Sequence, residues 1–249
     1  MSANNSFKSV LITGGTRGIG RAVALKLAGN TKQIFLNYLH NEEEAFKTRS
    51  LVEEKGGRCI LVKANMLYAD EIDGMFLKVR ERTESLDSFI HCAAINTFKP
   101  TLDVKPNQWD LTMNINTRSF LICTQHVAQM MPRGTIIAMS SLGSIRALPN
   151  YGALGPAKAA MESLVKYLAA ELASKNIRVN AVNAGAVETF SITKFPDYDR
   201  FLKETIARTP AGRIAQPDDI ADIITFLMSE EARWIIGQTI IADGGFSLF

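Results

Sequence analysis

Ser9-Val10-Leu11-Ile12-Thr13-Gly14-Gly15-Thr16-Arg17-Gly18-Ile19-Gly20 is the stretch on which the reading of this chain turns. A short apolar run, Ser9–Thr13, leads straight into a loop with four glycines. A helical pattern, Gly20–Ala28, follows without a break. Glycines at such a turn permit a tight reversal, close backbone approach to a pyrophosphate and close helix–strand packing. The helix start then offers free N–H groups and the positive end of its dipole. Glycines alone would say little, but at the first strand-to-helix turn they point to a dinucleotide site.

The same alternation continues outward from this unit. Strand candidates follow at Gln33–Asn37, Arg58–Lys63, Ser88–Cys92, Gly134–Met139, Arg178–Val182 and Thr239–Ile241. They are rich in Val, Ile and Leu without clean alternation, as expected of strands covered on both faces. Helix candidates between them are Glu42–Lys55, Asp70–Arg82, Gln108–Met131, Ala157–Ala173 and Pro217–Leu227. Repeated β-α-β units predict an α/β, Rossmann-type doubly wound fold. Its sheet is mostly parallel and seven-stranded, with helices on both faces, in a single domain over residues 1–249. The stretch Glu188–Arg213 breaks the rhythm with Pro196, Pro210 and several aromatics. It reads either as a substrate lid beyond the sixth strand or as a plain surface helix pair.

Composition narrows the function classes. With 47% hydrophobic residues the chain can bury a full core, and no apolar run reaches the ~18 residues that span a bilayer. Met1 to Lys8 is polar and lacks a signal-peptide layout, so a cytoplasmic location is the default. A net charge of +3 without Lys/Arg blocks gives no support for a nucleic-acid partner. Cys59, Cys92 and Cys123 lack C-x-x-C spacing and read as buried thiols in a reducing compartment. His40, His91 and His126 are scattered, so no metal site is expected.

The loop Thr13-Gly14-Gly15-Thr16-Arg17-Gly18-Ile19-Gly20 is similar to the T-G-x-x-x-G-x-G loop of the short-chain dehydrogenase/reductase family. The resemblance runs to Gly237-Gln238 and Asp243-Gly244-Gly245, which look like that family's closing motif. It implies a nicotinamide cofactor and, commonly, a homotetramer. Cofactor-facing candidates are Gly14, Thr16, Arg17, Gly18, Ile19, Gly20, Asn37, Asn65, Ala93 and Lys158. The second strand ends Leu36-Asn37-Tyr38-Leu39-His40, with no acid before Glu42 to hold a free ribose 2′-hydroxyl. Relatives often place a base such as Arg17 against the 2′-phosphate, which points to NADPH over NADH; the other reading of Arg17 is a solvated loop charge. Asn65 follows the third strand, where the family usually contacts adenine. Cys92-Ala93-Ala94 stands where the family has N-N-A-G, without its asparagines and glycine.

Ser141 lies 17 residues before Lys158, as in most relatives, but the position four before the lysine, usually tyrosine, is Leu154. The available phenol is Tyr151, seven before Lys158. Positions i, i+4 and i+7 share a helix face. A helical Tyr151 would carry its hydroxyl roughly 4–5 Å further along the axis than the usual tyrosine. Pro156 then requires the helix's first turn. Tyr-x6-Lys is similar to the spacing in enoyl-acyl-carrier-protein reductases of the superfamily. Ser140 to Arg146 with Asn150-Tyr151, Gly155 and Lys158 resembles the NADPH-dependent FabL type.

That resemblance implies reduction of the 2,3 double bond of a trans-2-enoyl thioester, on coenzyme A or an acyl carrier protein. Tyr151 would hydrogen-bond the enolate oxygen and Lys158 the nicotinamide ribose. Ser141 is a second donor to that oxygen or simply a strand-end hydroxyl. Asn116 resembles the asparagine of the family's water relay, or is a helix-interior polar residue. The rival function is a carbonyl or 3-oxoacyl thioester reductase; a non-catalytic dinucleotide sensor is a third. Apolar residues beyond one stripe on Gln108–Met131 and Ala157–Ala173 predict a homodimer or homotetramer.

Overall fold

In the computed structural model, which describes Phe7 to Leu248, the seven apolar runs become strands β1 (Phe7–Thr13), β2 (Thr31–Tyr38), β3 (Cys59–Lys63), β4 (Ser88–His91), β5 (Gly134–Ser141), β6 (Ile177–Ala184) and β7 (Thr239–Ala242). Residues 1–6, most of the polar N-terminal stretch, and residue 249 lie outside the described residues. The strands form one sheet in the order β3-β2-β1-β4-β5-β6-β7, and every pairing is parallel. Parallel neighbours cannot be joined by a hairpin, so helices make the crossovers. These are α1 (Gly18–Leu27), α2 (Glu42–Glu54), α3 (Ala69–Arg80), α4 (Pro106–Met113), α5 (Ser119–Met130), α6 (Leu154–Leu172), α7 (Tyr198–Arg208) and α8 (Pro217–Met228).

Successive side chains of a strand point to opposite faces. In β1, Leu11 joins the layer of α3, α5 and α6, with Phe89, Phe120, Ile136, Met161 and Val165. Val10 and Ile12 join the layer of α1 and α8, with Val23, Ile34, Ile220 and Ile224. Each such fully buried side chain contributes about 1.5–3 kcal/mol relative to exposure. Both faces are covered, which is why the strands read as continuous apolar runs. No helix among the described residues is long and apolar enough to cross a membrane.

Gln108–Met131, expected as one helix, is interrupted. A π-helical turn at Asn114–Arg118 separates α4 from α5. Polar side chains compete with the backbone ladder there. Thr112 Oγ1 donates to Gln108 O (2.8 Å), Asn116 Nδ2 to Thr112 O (2.9 Å) and Ser119 Oγ to Ile115 O (2.5 Å). The Glu188–Arg213 excursion holds one single-turn helix (Ile192–Lys194) and α7, so a surface pair of full helices is not what forms. A bridge between Val187 and Ala215 ties its two ends together.

The strand order reverses between β1 and β4, and ligands of open parallel sheets bind beyond the carboxyl ends at such a point. The two chains leaving there nearly touch. A Cβ on Gly14 would lie 3.0 Å from both Cα and N of Ala93.

Candidate active site

A cleft of ≈ 1060 Å³ opens over those strand ends. The glycine loop, Asn37 to Asn41, Asn65 and Ala93 line one end. Ser141, Tyr151 and Lys158 line the other, and the excursion roofs it with Thr189, Phe190, Phe195 and Phe201.

The glycine end has a backbone that side chains would obstruct. Gly14 (φ +60°) and Gly18 (φ +54°) adopt left-handed conformations. A Cβ on Gly20 would stand 2.4 Å from Gly14 O and 2.8 Å from Gly15 Cα. No side chain caps the start of α1 and its first turn has no acid, so its N–H groups face the cleft ready for an anion. Thr16 O is turned away from the cleft, accepting from Arg21 Nη2 (2.6 Å) and Thr48 Oγ1 (2.7 Å). Arg21 in turn pairs with Glu44. These residues fit a dinucleotide pyrophosphate.

Asn37 plays a bracing part. Its Nδ2 donates to Ala64 O (3.0 Å) and Val62 O (3.2 Å), and its Oδ1 accepts from Gly14 N (3.4 Å). It lines the cleft, as expected, but its polar atoms are engaged within the protein. Asn65 Oδ1 likewise accepts from Leu67 N (3.0 Å). Among the described residues lining this end none is acidic. The nearby Glu42 pairs with Lys63 at 2.8 Å. Arg17 is exposed, its guanidinium carbon 5.3 Å from the centre of the Phe190 ring.

At the far end Lys158 is buried on α6 and donates to Met139 O (2.7 Å). Burial pushes its pKa down to about 8, against the opposing influence of Cys92 and Glu162. Burial raises the Tyr151 phenol, and a hydrogen bond with Ser141 pulls it back. The Tyr151 ring occupies space that Gly143 leaves: a Cβ there would be 2.5 Å from Cδ1. Phe98 (5.7 Å) and Phe195 (6.4 Å) stand across from it.

Tyr151 departs from the helical placement expected of it. It lies three residues before α6, bridged to Lys99, and only its carbonyl joins the helix, accepting from Gly155 N (2.9 Å). The left-handed Asn150 (φ +61°) and the seating of Gly152 on Thr101 hold this segment out of the helix. The helical offset therefore does not describe the phenol's position; the 99–101 segment sets it. Pro156 does fall in the first turn of α6.

Asn116 is buried in the π-helical turn and also donates to Ile95 O (3.0 Å), while its Oδ1 meets no protein donor. Behind it His91 sits between Thr13 Oγ1 (2.9 Å) and Ser119 Oγ (3.3 Å). Burial, then the Lys158 charge, push its pKa down to about 3, so it stays neutral. Sequence reading missed Ser144, Glu162 and Asn183, a polar cluster beneath Ser140–Ser141. The one local signal was the one-turn spacing of Lys158 and Glu162.

A family model described as Enoyl-(Acyl carrier protein) reductase matches residues 14–247. The chain is 39% identical over 241 residues to the 1-cyclohexenylcarbonyl-CoA reductase of Streptomyces collinus, covering 96% of this chain and 86% of that one. It is 33% identical over 243 residues to the 3-oxoacyl-[acyl-carrier-protein] reductase FabG of Staphylococcus aureus, covering 96% and 97%. This chain belongs to the short-chain dehydrogenase/reductase family. The angucycline C-6 ketoreductase LanV, solved with bound NADP, superimposes on this short-chain reductase with a TM-score of 0.91 at 31% identity, covering 100% of this chain and 99% of that one. As a member of the family it is an NAD(P)H-dependent oxidoreductase.

Proposed function

We propose that this reductase uses NADPH to saturate the 2,3 double bond of a trans-2-enoyl thioester of coenzyme A or an acyl carrier protein. The observation that carries the reading is the phenol beside Ser141. It comes from Tyr151, outside α6, while the position four before Lys158 is the buried Leu154. The Streptomyces relative, named as a reductase of a conjugated thioester, supports it. The second reading, reduction of a 3-oxoacyl thioester or another ketone, is favoured by the resemblance to FabG and LanV.

NADPH, when bound, would supply a hydride to the β-carbon of an enoyl thioester, leaving negative charge on the thioester oxygen. Tyr151 would donate its hydroxyl hydrogen bond to that oxygen, with Ser141 as a second donor. Lys158 would hold the ribose hydroxyls and, by its charge, strengthen donation by Tyr151. The α-carbon would then take its proton from solvent or through a relay in which Asn116 orients water toward Lys158. Phe195, Phe98 and Phe201 exclude water around the acyl group. Oxidation of NADPH by crotonyl and acetoacetyl thioesters, measured in parallel, tests the reading; activity confined to the ketone transfers the assignment to the second.

NADPH is expected to exceed NADH in kcat/KM, because Arg17 is the exposed cation at an end of the cleft with no acid. Arg17→Ala should narrow that ratio by about tenfold, one lost charge-assisted contact of about 1.4 kcal/mol. Equal use of both cofactors by the wild type would overturn this.

The pH profile follows from Lys158. Its folded pKa is depressed to about 8 from the ordinary 10.5, so its charge is lost as pH rises through about 8. kcat/KM, which reports the free enzyme, should fall along a basic limb there. Stability should instead rise between about pH 8 and 10.5, because the unfolded chain binds the extra proton in that window. A limb near 10 would contradict this assignment of the profile to Lys158.

The chain is further inferred to work as a homodimer or homotetramer. Trp234 (93% exposed) and Tyr167 (69%) leave large apolar surface outside the core. Light scattering should return a multiple of the 27.4 kDa chain mass.

A further inference from the structure

Glu162 lies one turn beyond Lys158 on α6 and is partly buried. A single oxygen, Oε1, collects donors from three elements. These are Ser140 Oγ at the end of β5, Ser144 Oγ (2.6 Å) in the turn that follows, and Asn183 Nδ2 (2.9 Å) near the end of β6. Ser144 Oγ also accepts from Asn183 Nδ2 (2.8 Å) and lies 2.8 Å from Ser141 O. One hydroxyl has one proton, so the acceptor-only carboxylate and the Ser141 carbonyl compete for it. Asn183 Oδ1 is buried with no partner, consistent with an amide fixed by its donor end.

What this cluster holds is the floor of the reaction site. Between its Ser140 and Ser144 run Ser141, which lowers the Tyr151 phenol's pKa and lines the cleft with it, and Gly143, on which the Tyr151 ring rests. Gly143 O in turn lies 2.7 Å from where a Cβ on Gly155 would be, so the turn is clamped to α6 at two points. We propose that Glu162 is a positioning residue for the reduction, locking the Ser141–Ser144 turn onto α6 and so fixing where the Ser141 hydroxyl and the Tyr151 phenol stand. A second consequence follows from its charge. Lys158 faces His91 and Cys92 at the end of β4 and the Met139 carbonyl on β5; Glu162 faces it from its own helix. Cys92 and Glu162 both favour the charged lysine, but burial pushes the Cys92 thiol up to about 12 and keeps it neutral, so Glu162 is the negative charge among these groups.

The proposal rests on the reading that Ser141, Tyr151 and Lys158 carry the chemistry. Two variants separate the two roles. Glu162→Ala removes acceptor and charge; Glu162→Gln can keep an oxygen toward the three donors while losing the charge. Steady-state kinetics with NADPH should be run on crotonyl and acetoacetyl thioesters, using whichever one the wild type turns over. A wild type active only on the ketone would overturn the enoyl reading and leave this test intact. In Glu162→Ala, kcat should fall by at least tenfold with NADPH affinity, read by fluorescence, within about threefold of wild type. In Glu162→Gln the fall should be smaller, and the basic limb of the pH profile should move down by about half a unit or more. A part that merely stabilises the fold would lower the melting temperature and leave the limb where it is. Wild-type kcat in Glu162→Ala, or an unmoved limb in Glu162→Gln, overturns the proposal.

Discussion

Replacing Tyr151 with phenylalanine is expected to lower kcat on an enoyl thioester by about 10²-fold, close to 2.7 kcal/mol of transition-state stabilisation. The ring keeps its seat against Gly143, Phe98 and Phe195, so the fold should tolerate the change. What disappears is the Tyr151 hydroxyl, on a side chain that lines the cleft with Ser141. NADPH affinity should stay within about twofold, because the phenol is assigned to the substrate, and a loss in kcat alone is the signature of an interaction made in the transition state. Stopped-flow turnover with fluorescence titration of NADPH separates the two quantities. Wild-type kcat in the variant would remove Tyr151 from the chemistry.

Gly20→Ala should have a comparably large effect by a different route. The added Cβ would stand 2.4 Å from Gly14 O and 2.8 Å from Gly15 Cα, and both neighbours are backbone, so no side-chain rotation relieves the clash. The turn between β1 and α1 would have to open, taking with it the N–H groups at the helix start. Losing backbone donors to a charged phosphate, about 2.7 kcal/mol in all, costs on the order of 10²-fold in affinity. We expect NADPH affinity to fall by about that factor, and thermal stability to fall by about 1–3 kcal/mol for the overpacking. Isothermal titration with NADPH and a melting curve check both. Affinity unchanged from wild type would mean that the glycine loop is not the pyrophosphate cradle.

These two residues also mark how far the amino-acid sequence could be read. Gly20 announces itself, because a glycine-dense strand-to-helix turn is a local event whose cause and signal lie in the same dozen residues. The seven strands were legible for a related reason: burial on both faces leaves continuous apolar runs, and the sheet contains all seven. Tyr151 was legible as a residue but not as a position. Its seat depends on Lys99 and Thr101, fifty residues away, and nothing in its neighbours announces that bridge. The break between α4 and α5 has a partly non-local cause too, since Asn116 reaches the carbonyl of Ile95.

Helix α7 was foreseen only in one of the two readings of its stretch, the surface helix pair. Tyr198, Phe201, Leu202 and Thr205 are its less exposed residues, at helical spacing, but the prolines and charges around them left the lid reading open beside it. The Glu162 cluster had almost no linear trace. Ser140, Ser144 and Asn183 come together only because β5 and β6 are parallel neighbours with Ser140 level with Asn183, and the first turns of α6, which packs along the sheet, bring Glu162 to their carboxyl ends. Polar residues at such ends are legible as a group only once the strand order is known.

The central claim is that the hydride goes to the β-carbon of a carbon–carbon double bond and not to the carbon of a ketone in the acyl chain. The most direct measurement uses NADPH carrying deuterium at the transferred position of C4, with a crotonyl thioester in one reaction and an acetoacetyl thioester in another, each product analysed by mass spectrometry and NMR. The account predicts a butyryl thioester with one deuterium at C3, formed far faster than any hydroxyacyl product. Deuterium on the carbinol carbon of a 3-hydroxybutyryl thioester, with crotonyl thioester left unreduced, would contradict it.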